Sequence, residues 1–211
     1  MIKILKPLLP KLDSLKELDI FEIIDDSLFE TVSITDIDFS DNQSEDAGIE
    51  TAYIKNSTFN NCMLKDFKLV DVFIDRSNMI NTNLESGYLN RVEIQASRLT
   101  GLQLTNGILR DVVFKENKMD LALFRFTKIK NACFDNCNLT DSDFQNADLE
   151  NVMFRNCNLS NVQFSQAKFK NVDVSGSNIE SIKIGHEQLK SVTIDYSQTT
   201  QVVQLLGIRI K

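Results

Sequence analysis

Residues 131–164 read NACFDNCNLTDSDFQNADLENVMFRNCNLSNVQF. Inside this stretch, in DFQNADLENVMF, a large apolar residue falls at Phe144, Leu149 and Phe154, five apart each time. A helix face returns every 3.6 residues and a strand face every two, so neither regular element explains a period of five. Extended from Phe144 in both directions, the register runs from Phe29 to Ile194 without a slip, and 33 of its 34 positions are Phe, Leu, Ile, Met or Val. Ser44 is the exception. Two places before each centre the residue is often small, as at Ala47, Cys62, Ser77, Gly87, Ala122, Cys137, Ala147 and Cys157. The two residues after each centre are mostly polar, rich in Asn, Asp, Ser and Lys. Asn and Asp suit turns, because their side chains bond nearby backbone and tolerate unusual φ/ψ. A period this regular is the signature of a stacked repeat, in which one unit cannot bury its inward residues and neighbouring units bury a continuous column.

Units such as NADLE (146–150), NCNLT (136–140) and DSDFQ (141–145) resemble the consensus of the pentapeptide-repeat family. The resemblance implies an all-β solenoid: a right-handed, quadrilateral β-helix with one pentapeptide per side and twenty residues per coil. Coils hydrogen-bonded to one another lie about 4.8 Å apart, so residues twenty apart stack. Two inward ladders follow, Phe114, Phe134 and Phe154 on one side and Phe124, Phe144 and Phe164 on another. The expected organisation is an N-terminal cap over 1–23, the β-helix over 24–194, and a C-terminal helix and strand over 195–211. About 8.5 coils at about 4.8 Å each give a rod about 40 Å long. Phe67 and Leu102 at the small position predict local bulges, and Asn117 and Glu187 there need partners if buried.

No apolar run approaches the 18 residues of a membrane span. The apolar start, MIKILKPLLPKL, is broken by Pro7 and Pro10 and lacks a signal-cleavage site, so a cytoplasmic location is expected. The four cysteines read as small core residues, with no CxxC pair. The single histidine, His186, stands without a nucleophile or metal-ligand motif. No catalytic, metal or cofactor site is therefore expected, and the chain reads as a non-enzyme.

Net charge is −7. Residues 17–50 hold twelve acidic side chains and no Lys or Arg, while the chain from 51 onward holds 17 acidic and 19 basic residues. An acidic surface repels nucleic acid and suits a basic partner.

The ends of a β-helix expose unpaired backbone and core, so each needs a cap or a partner. The N-terminal segment is expected to fold over the first coil, with a helical turn at Ser14–Leu18. At the C-terminus, Asp195 or Ser197 can cap a short helix, Gly207 fits the position after it, and Ile208-Arg209-Ile210 alternates like a strand. This tail resembles that of the Qnr-type fluoroquinolone-resistance proteins, especially the chromosomal members of Gram-positive bacteria. It matches at Ile194, Gln198, Val203, Leu205, Leu206, Gly207, Ile208 and Ile210. The resemblance implies a homodimer joined tail to tail through Gln198, Val202, Val203, Leu205, Leu206, Ile208 and Ile210. It also implies a long acidic rod that mimics duplex DNA, binds DNA gyrase or topoisomerase IV and shields it from fluoroquinolones, without contacting nucleic acid or membrane itself. Asp135, Asp141, Asp143, Asp148 and Glu150 are the candidate contact acids. The alternatives are a structural scaffold for another protein, or immunity against a gyrase-targeting peptide toxin. Unlike some Qnr proteins, this register leaves no room for projecting loops.

Overall fold

The computed structural model describes residues 2–20 and 22–209. The five-residue period becomes one side of a four-sided parallel β-helix. The sides are numbered here by their inward columns: side 1 carries Leu149, side 2 Phe154, side 3 Leu159 and side 4 Phe164. Strands Leu28–Thr35, Gly48–Lys55, Lys68–Asp75, Tyr88–Gln95, Ile108–Lys115, Lys128–Asp135, Asp148–Arg155 and Lys168–Asp173 each wrap from side 1 to side 2. Each pairs in parallel with the next in strict twenty-residue register, as in Phe114 with Phe134 and Phe134 with Phe154. Sides 3 and 4 are held mostly by single bridges in the same register, such as Asn138 with Asn158 and Leu123 with Asp143, and on side 4 of the first coils by the short strands Gln43–Glu45 and Met63–Lys65.

The corners explain the composition. Every fifth residue from Asp26 to Ser181 has positive φ, thirty of them non-glycine plus Gly101 and Gly176. Left-handed backbone costs an L-residue about 1–2 kcal/mol, less for Asn and Asp and nothing for Gly. Twenty-one of these thirty-two corners are Asp, Asn or Gly. Only the second residue after each centre turns the chain; the sequence did not separate it from its polar neighbour.

Inside, the phenylalanines fill the lumen from opposite walls. Phe114, Phe134 and Phe154 stack at 4.9 Å, and Phe124 lies 4.5 Å from Phe144 and Phe144 5.3 Å from Phe164. The two ladders meet edge to face at 5.9 to 6.4 Å. All six rings are almost wholly buried. Beside them a polar column satisfies corner amides: Ser57, Ser77 and Ser97 accept or donate in sequence, and Asn117 accepts from the Ser97 amide at 2.8 Å and donates to the Ile94 carbonyl at 2.7 Å. Cys137 and Cys157 occupy the same column, their thiols donating to the Phe114 and Phe134 carbonyls at 3.3 Å. Among the described residues, the Ser44 hydroxyl is the buried side-chain polar atom without a partner.

The expected bulges at Phe67 and Leu102 do not occur. Both are buried and the register runs on. Gly87 follows Phe67 in the stack, and a Cβ there would meet the Leu84 carbonyl at 2.9 Å and the Phe67 carbonyl at 3.2 Å, so this coil needs a glycine where its backbones approach closely. Glu187 escapes burial because the coil opens: α1 (His186–Leu189) replaces the corner after Ser181, and Glu187 binds Lys190 at its surface. The sequence register reaches Ile194, yet only Val192–Thr193 rejoins the sheet beyond α1.

The N-terminus departs from the expectation in two ways. Ser14–Leu18 is no helical turn. A 3-10 turn at Leu12–Ser14 precedes a two-residue strand, Lys16–Glu17, that pairs with Val32 and Ser33 and extends the first coil. Residues 2–9 do not fold over that coil either. They run along the outside of the rod, where the Leu8 amide donates to Asp71 at 2.8 Å and the Leu5 amide to Asp111 at 3.0 Å. Three extended residues cover about 9–10 Å, the height of two coils, which is the offset between Asp71 and Asp111. The strap continues upward until Ile2 and Lys3 line a groove with Asn151, Met153 and Asn171. Prolines at 7 and 10 favour this extended form because they lack an amide donor and fix φ. Below the strap, the outward column of side 2 reads Tyr53, Phe73, Glu93, Val113, Cys133 and Met153, apolar but for Glu93, whereas the corresponding column of side 3 reads Asp38, Thr58, Asn78, Arg98 and Lys118. Cys133 and Met153 are buried although they point away from the lumen.

Candidate functional site

With no enzyme-like constellation in the sequence, the places able to bind are the ends and the charged sides. At the C-terminus the Asp195 carboxylate accepts from the Ser197 amide at 2.8 Å, and the Gln198 side chain accepts from the Asp195 amide at 2.9 Å, a capping box. The Ser197 hydroxyl and amide, with the Gly176 amide, hold the Asp195 carboxyl below the usual carboxylate range. Gln198 also donates to the Val174 and Ser177 carbonyls at 2.8 and 2.7 Å and is buried. Its side chain plugs the open end of the last coil. Grouped on sequence with the dimer residues, Gln198 has its hydrogen-bonding capacity spent inside its own chain and offers nothing to a second one.

α2 (Thr199–Leu205) then lies across the coil end. Its apolar stripe divides. Val202 and Leu205 pack against the core of their own chain, while Leu206 and Ile208 are exposed and Val203 is half-buried. Gly207 takes φ +75°, the left-handed position that ends a helix. The expected strand at 208–210 is absent over Ile208 and Arg209, and Ile210 lies outside the described residues. Tyr196, 94% exposed, adds a ring beside this apolar end.

The five candidate acids do not gather on one side. Asp141 and Asp143 belong to side 4 and its leading corner, Asp148 and Glu150 to side 1, and Asp135 to side 2. Two are already paired. Asp143 is bound by Arg125 at 2.6 Å, and Glu150 is bridged by Lys170 at 2.8 Å and Lys130 at 3.4 Å, which keep its carboxyl below the usual range. Asp135 accepts from the Asn136 side chain at 3.0 Å. Asp141 and Asp148 are exposed, and among the described residues no salt bridge reaches either. Sequence reasoning missed the other half of side 1. There Arg110, Lys128, Lys130, Lys168 and Lys170 stand in two outward columns, a basic stripe whose signal was available at steps of twenty. The acidic tip at residues 17–50 lies at the opposite end of the rod.

Three of the four thiols are held protonated, while the hydrogen bond from the Cys157 thiol draws Cys137 below its usual range. Burial pushes Cys62 and Cys133 up to about 11, and Cys157 is raised by the Cys137 sulfur it faces and by burial. Among the described residues no cluster of His, Cys, Asp or Glu is arranged to hold a metal ion, and no helix is long and apolar enough to cross a membrane.

Several solved structures share this architecture. A trypsin-treated variant of QnrB1, a plasmid-mediated fluoroquinolone resistance protein, superposes with a TM-score of 0.50 at 14% identity, over 92% of this chain and 95% of that one. HetL, a pentapeptide-repeat protein involved in heterocyst differentiation regulation in the cyanobacterium Nostoc sp. strain PCC 7120, gives 0.48 at 13% identity, over 80% and 87%. No curated protein matches the sequence. At these identities the likeness is one of fold. The family model for the pentapeptide repeat region matches residues 95–164 and 122–199. With a left-handed corner at every fifth residue and one inward apolar side chain per side, the chain belongs to the pentapeptide-repeat family.

Proposed function

We propose that this chain is a binding protein that acts on a type II topoisomerase, DNA gyrase or topoisomerase IV, and protects it from fluoroquinolones. Two copies join tail to tail through Val203, Leu206 and Ile208. The observation that carries this reading is the C-terminal end. A capped helix seals the coil with Val202, Leu205 and Gln198, yet keeps Leu206 and Ile208 in solvent. A cap that only closed its own rod would have no reason to end in exposed apolar side chains. The QnrB1 likeness, running over nearly the whole of both chains, supports the same assignment. Two rods of about 40 Å would reach about 80 Å, the length of about 24 base pairs of duplex. Such a protein works in the cytoplasm, where its target is.

The deciding experiment is a gyrase supercoiling assay, titrating the protein with and without a fluoroquinolone. Supercoiling restored in the presence of the drug supports the reading; no effect on gyrase or topoisomerase IV refutes it. One observation favours a second reading, a scaffold for some other protein. The basic stripe of side 1 is the wrong sign for a rod that imitates DNA on every side. Under that reading the protein is a monomer and leaves topoisomerases untouched.

A further inference from the structure

Side 1 changes sign along its length. In the first coils its leading corner carries Asp26, Asp46 and Asp66, and its outward columns carry Glu30 and Glu50 against the single cation Lys68. From the coil of Ile108 upward the columns carry Arg110, Lys128, Lys130, Lys168 and Lys170, all exposed, against Asp148 and Glu150. The leading corner of that half, Asn106, Phe126, Asn146 and Gln166, bears no charge. The trailing corner is close to neutral, since Asp71 is held by Arg91 and Asp111 accepts from the Leu5 amide. Between the halves Val70, Tyr88 and Ile108 stand half-buried on the outer face. A face that is acidic at one end, apolar in the middle and basic at the other is complementary to itself when turned end for end.

One axis fits the exceptions as well as the rule. Lys68 and Asp148, each of the wrong sign for its half, stand two coils either side of Ile108 in one outward column. Both are exposed, and among the described residues no salt bridge reaches either. Glu150, the remaining exception, is bridged by Lys130 and Lys170. In the neighbouring column Glu50 and Lys170 stand three coils either side of Arg110. A two-fold axis across the coil of Ile108 and Arg110 therefore sets Lys68 of one copy against Asp148 of the other, Glu50 against Lys170 and Tyr88 against Lys128, and each contact occurs twice. Lys170 can serve both Glu150 and the second copy, because an ammonium has three donors. Ile108 meets its own copy. So does Arg110, the one like-charge meeting in these columns, with Asp111 of each copy beside it.

We infer that side 1 is a contact surface for a second copy of this chain, laid antiparallel and centred on Ile108. The coils from Gly48 to Lys168 cover about 29 Å and one side is about 13 Å wide, so each copy offers roughly 400 Å² of flat face, the size of a weak, reversible contact. Pairing gives the basic stripe an acidic counterpart and leaves sides 3 and 4 outward. A nucleic acid would be attracted by the basic half alone and repelled by the acidic half. The tail contact proposed above uses a different surface, and neither depends on the other.

Lys68 and Asp148 are four coils apart on one rod, about 19 Å, so they cannot meet within a chain, and exchanging their charges reads the second copy alone. Lys68→Asp, Asp148→Lys and the double variant are compared with the parent by sedimentation equilibrium over a range of concentrations. All four carry Leu206→Glu, so that the tail contact adds no mass, and melting temperatures are measured in parallel. The parent is expected to reach twice the chain mass at low salt and to dissociate as salt rises. Each single reversal, met twice across the axis, should weaken association at least about tenfold. The double variant should return to within about threefold of the parent. Single reversals without effect, a double variant no stronger than either single, or a parent that stays a single chain at every concentration would overturn the pairing and leave the proposed function as it stands.

Discussion

Phe144 and Phe126 are the same side chain eighteen residues apart, and the structure assigns them opposite energetics. Phe144 is fully buried, 4.5 Å from Phe124 and 5.3 Å from Phe164 in its own ladder, and edge-on to Phe134 and Phe154 at 6.1 and 5.9 Å. Phe144→Ala removes the ring from a lumen whose walls are two continuous backbones, fixed by coil-to-coil hydrogen bonds and unable to collapse inward. Such a truncation costs about 3–5 kcal/mol, with the upper half expected here because the aromatic contacts add to the area term. For a chain of this size that upper half is a fall of about 8–20 °C in melting temperature. Phe126→Asn removes an exposed ring from a left-handed corner and should leave stability unchanged or raise it by up to about 1 kcal/mol. Both variants are measured by thermal melts followed at the far-UV strand signal and by urea titration. A Phe144→Ala loss below about 1 kcal/mol, or a Phe126→Asn loss larger than it, would refute the inward ladder and the assignment of corners together.

Three further outcomes follow from the ends and the strap. Leu206→Glu places a carboxylate in the proposed tail-to-tail contact and should shift the mass measured by light scattering to that of a single chain; a variant that stays dimeric removes this surface from the interface. Deleting residues 2–11 should uncover the side 2 column, so that Cys133, 6% exposed and raised to about 11 by burial, reacts with maleimide at least about tenfold faster while the lumenal Cys62 and Cys157 do not. Equal Cys133 labelling in both proteins would show that the strap is not its cover. Burial alone would raise the Asp71 carboxyl, but the Arg91 guanidinium and the Leu8 amide together bring it below its usual range. A depressed carboxyl contributes stability that is fully present above its unfolded value, about 4, and is lost as pH falls through the lower folded value. The melting-temperature difference between the native chain and Asp71→Asn should therefore be constant near neutrality and shrink below about pH 4. A difference that is flat down to pH 3 would contradict the pairing.

The period of five, read from Phe29 to Ile194, determined the solenoid, its inward columns and the pairing of residues twenty apart, because in a stacked repeat each contact is fixed by sequence separation alone. That is why Phe114, Phe134 and Phe154 could be aligned before any coordinates. A helix cap at Asp195 or Ser197 and the helix-ending Gly207 were legible because they are local; that Gln198 completes a capping box was not. What lies outside the period was decided only in three dimensions. The strap is placed by two hydrogen bonds that span 63 and 106 residues, Leu8 to Asp71 and Leu5 to Asp111, and no local signal encodes them. Gln198 could be read as a surface residue until the open end of the last coil offered it two carbonyls to fill. The candidate acids looked like one cluster in sequence, but a chain that turns a corner every five residues sends neighbours such as Asp143 and Asp148 to different sides. Arg125 reaches Asp143, and Lys130 and Lys170 reach Glu150, from neighbouring coils. Local periodicity sets the coil; contacts between coils and at their ends decide which charges remain free to bind.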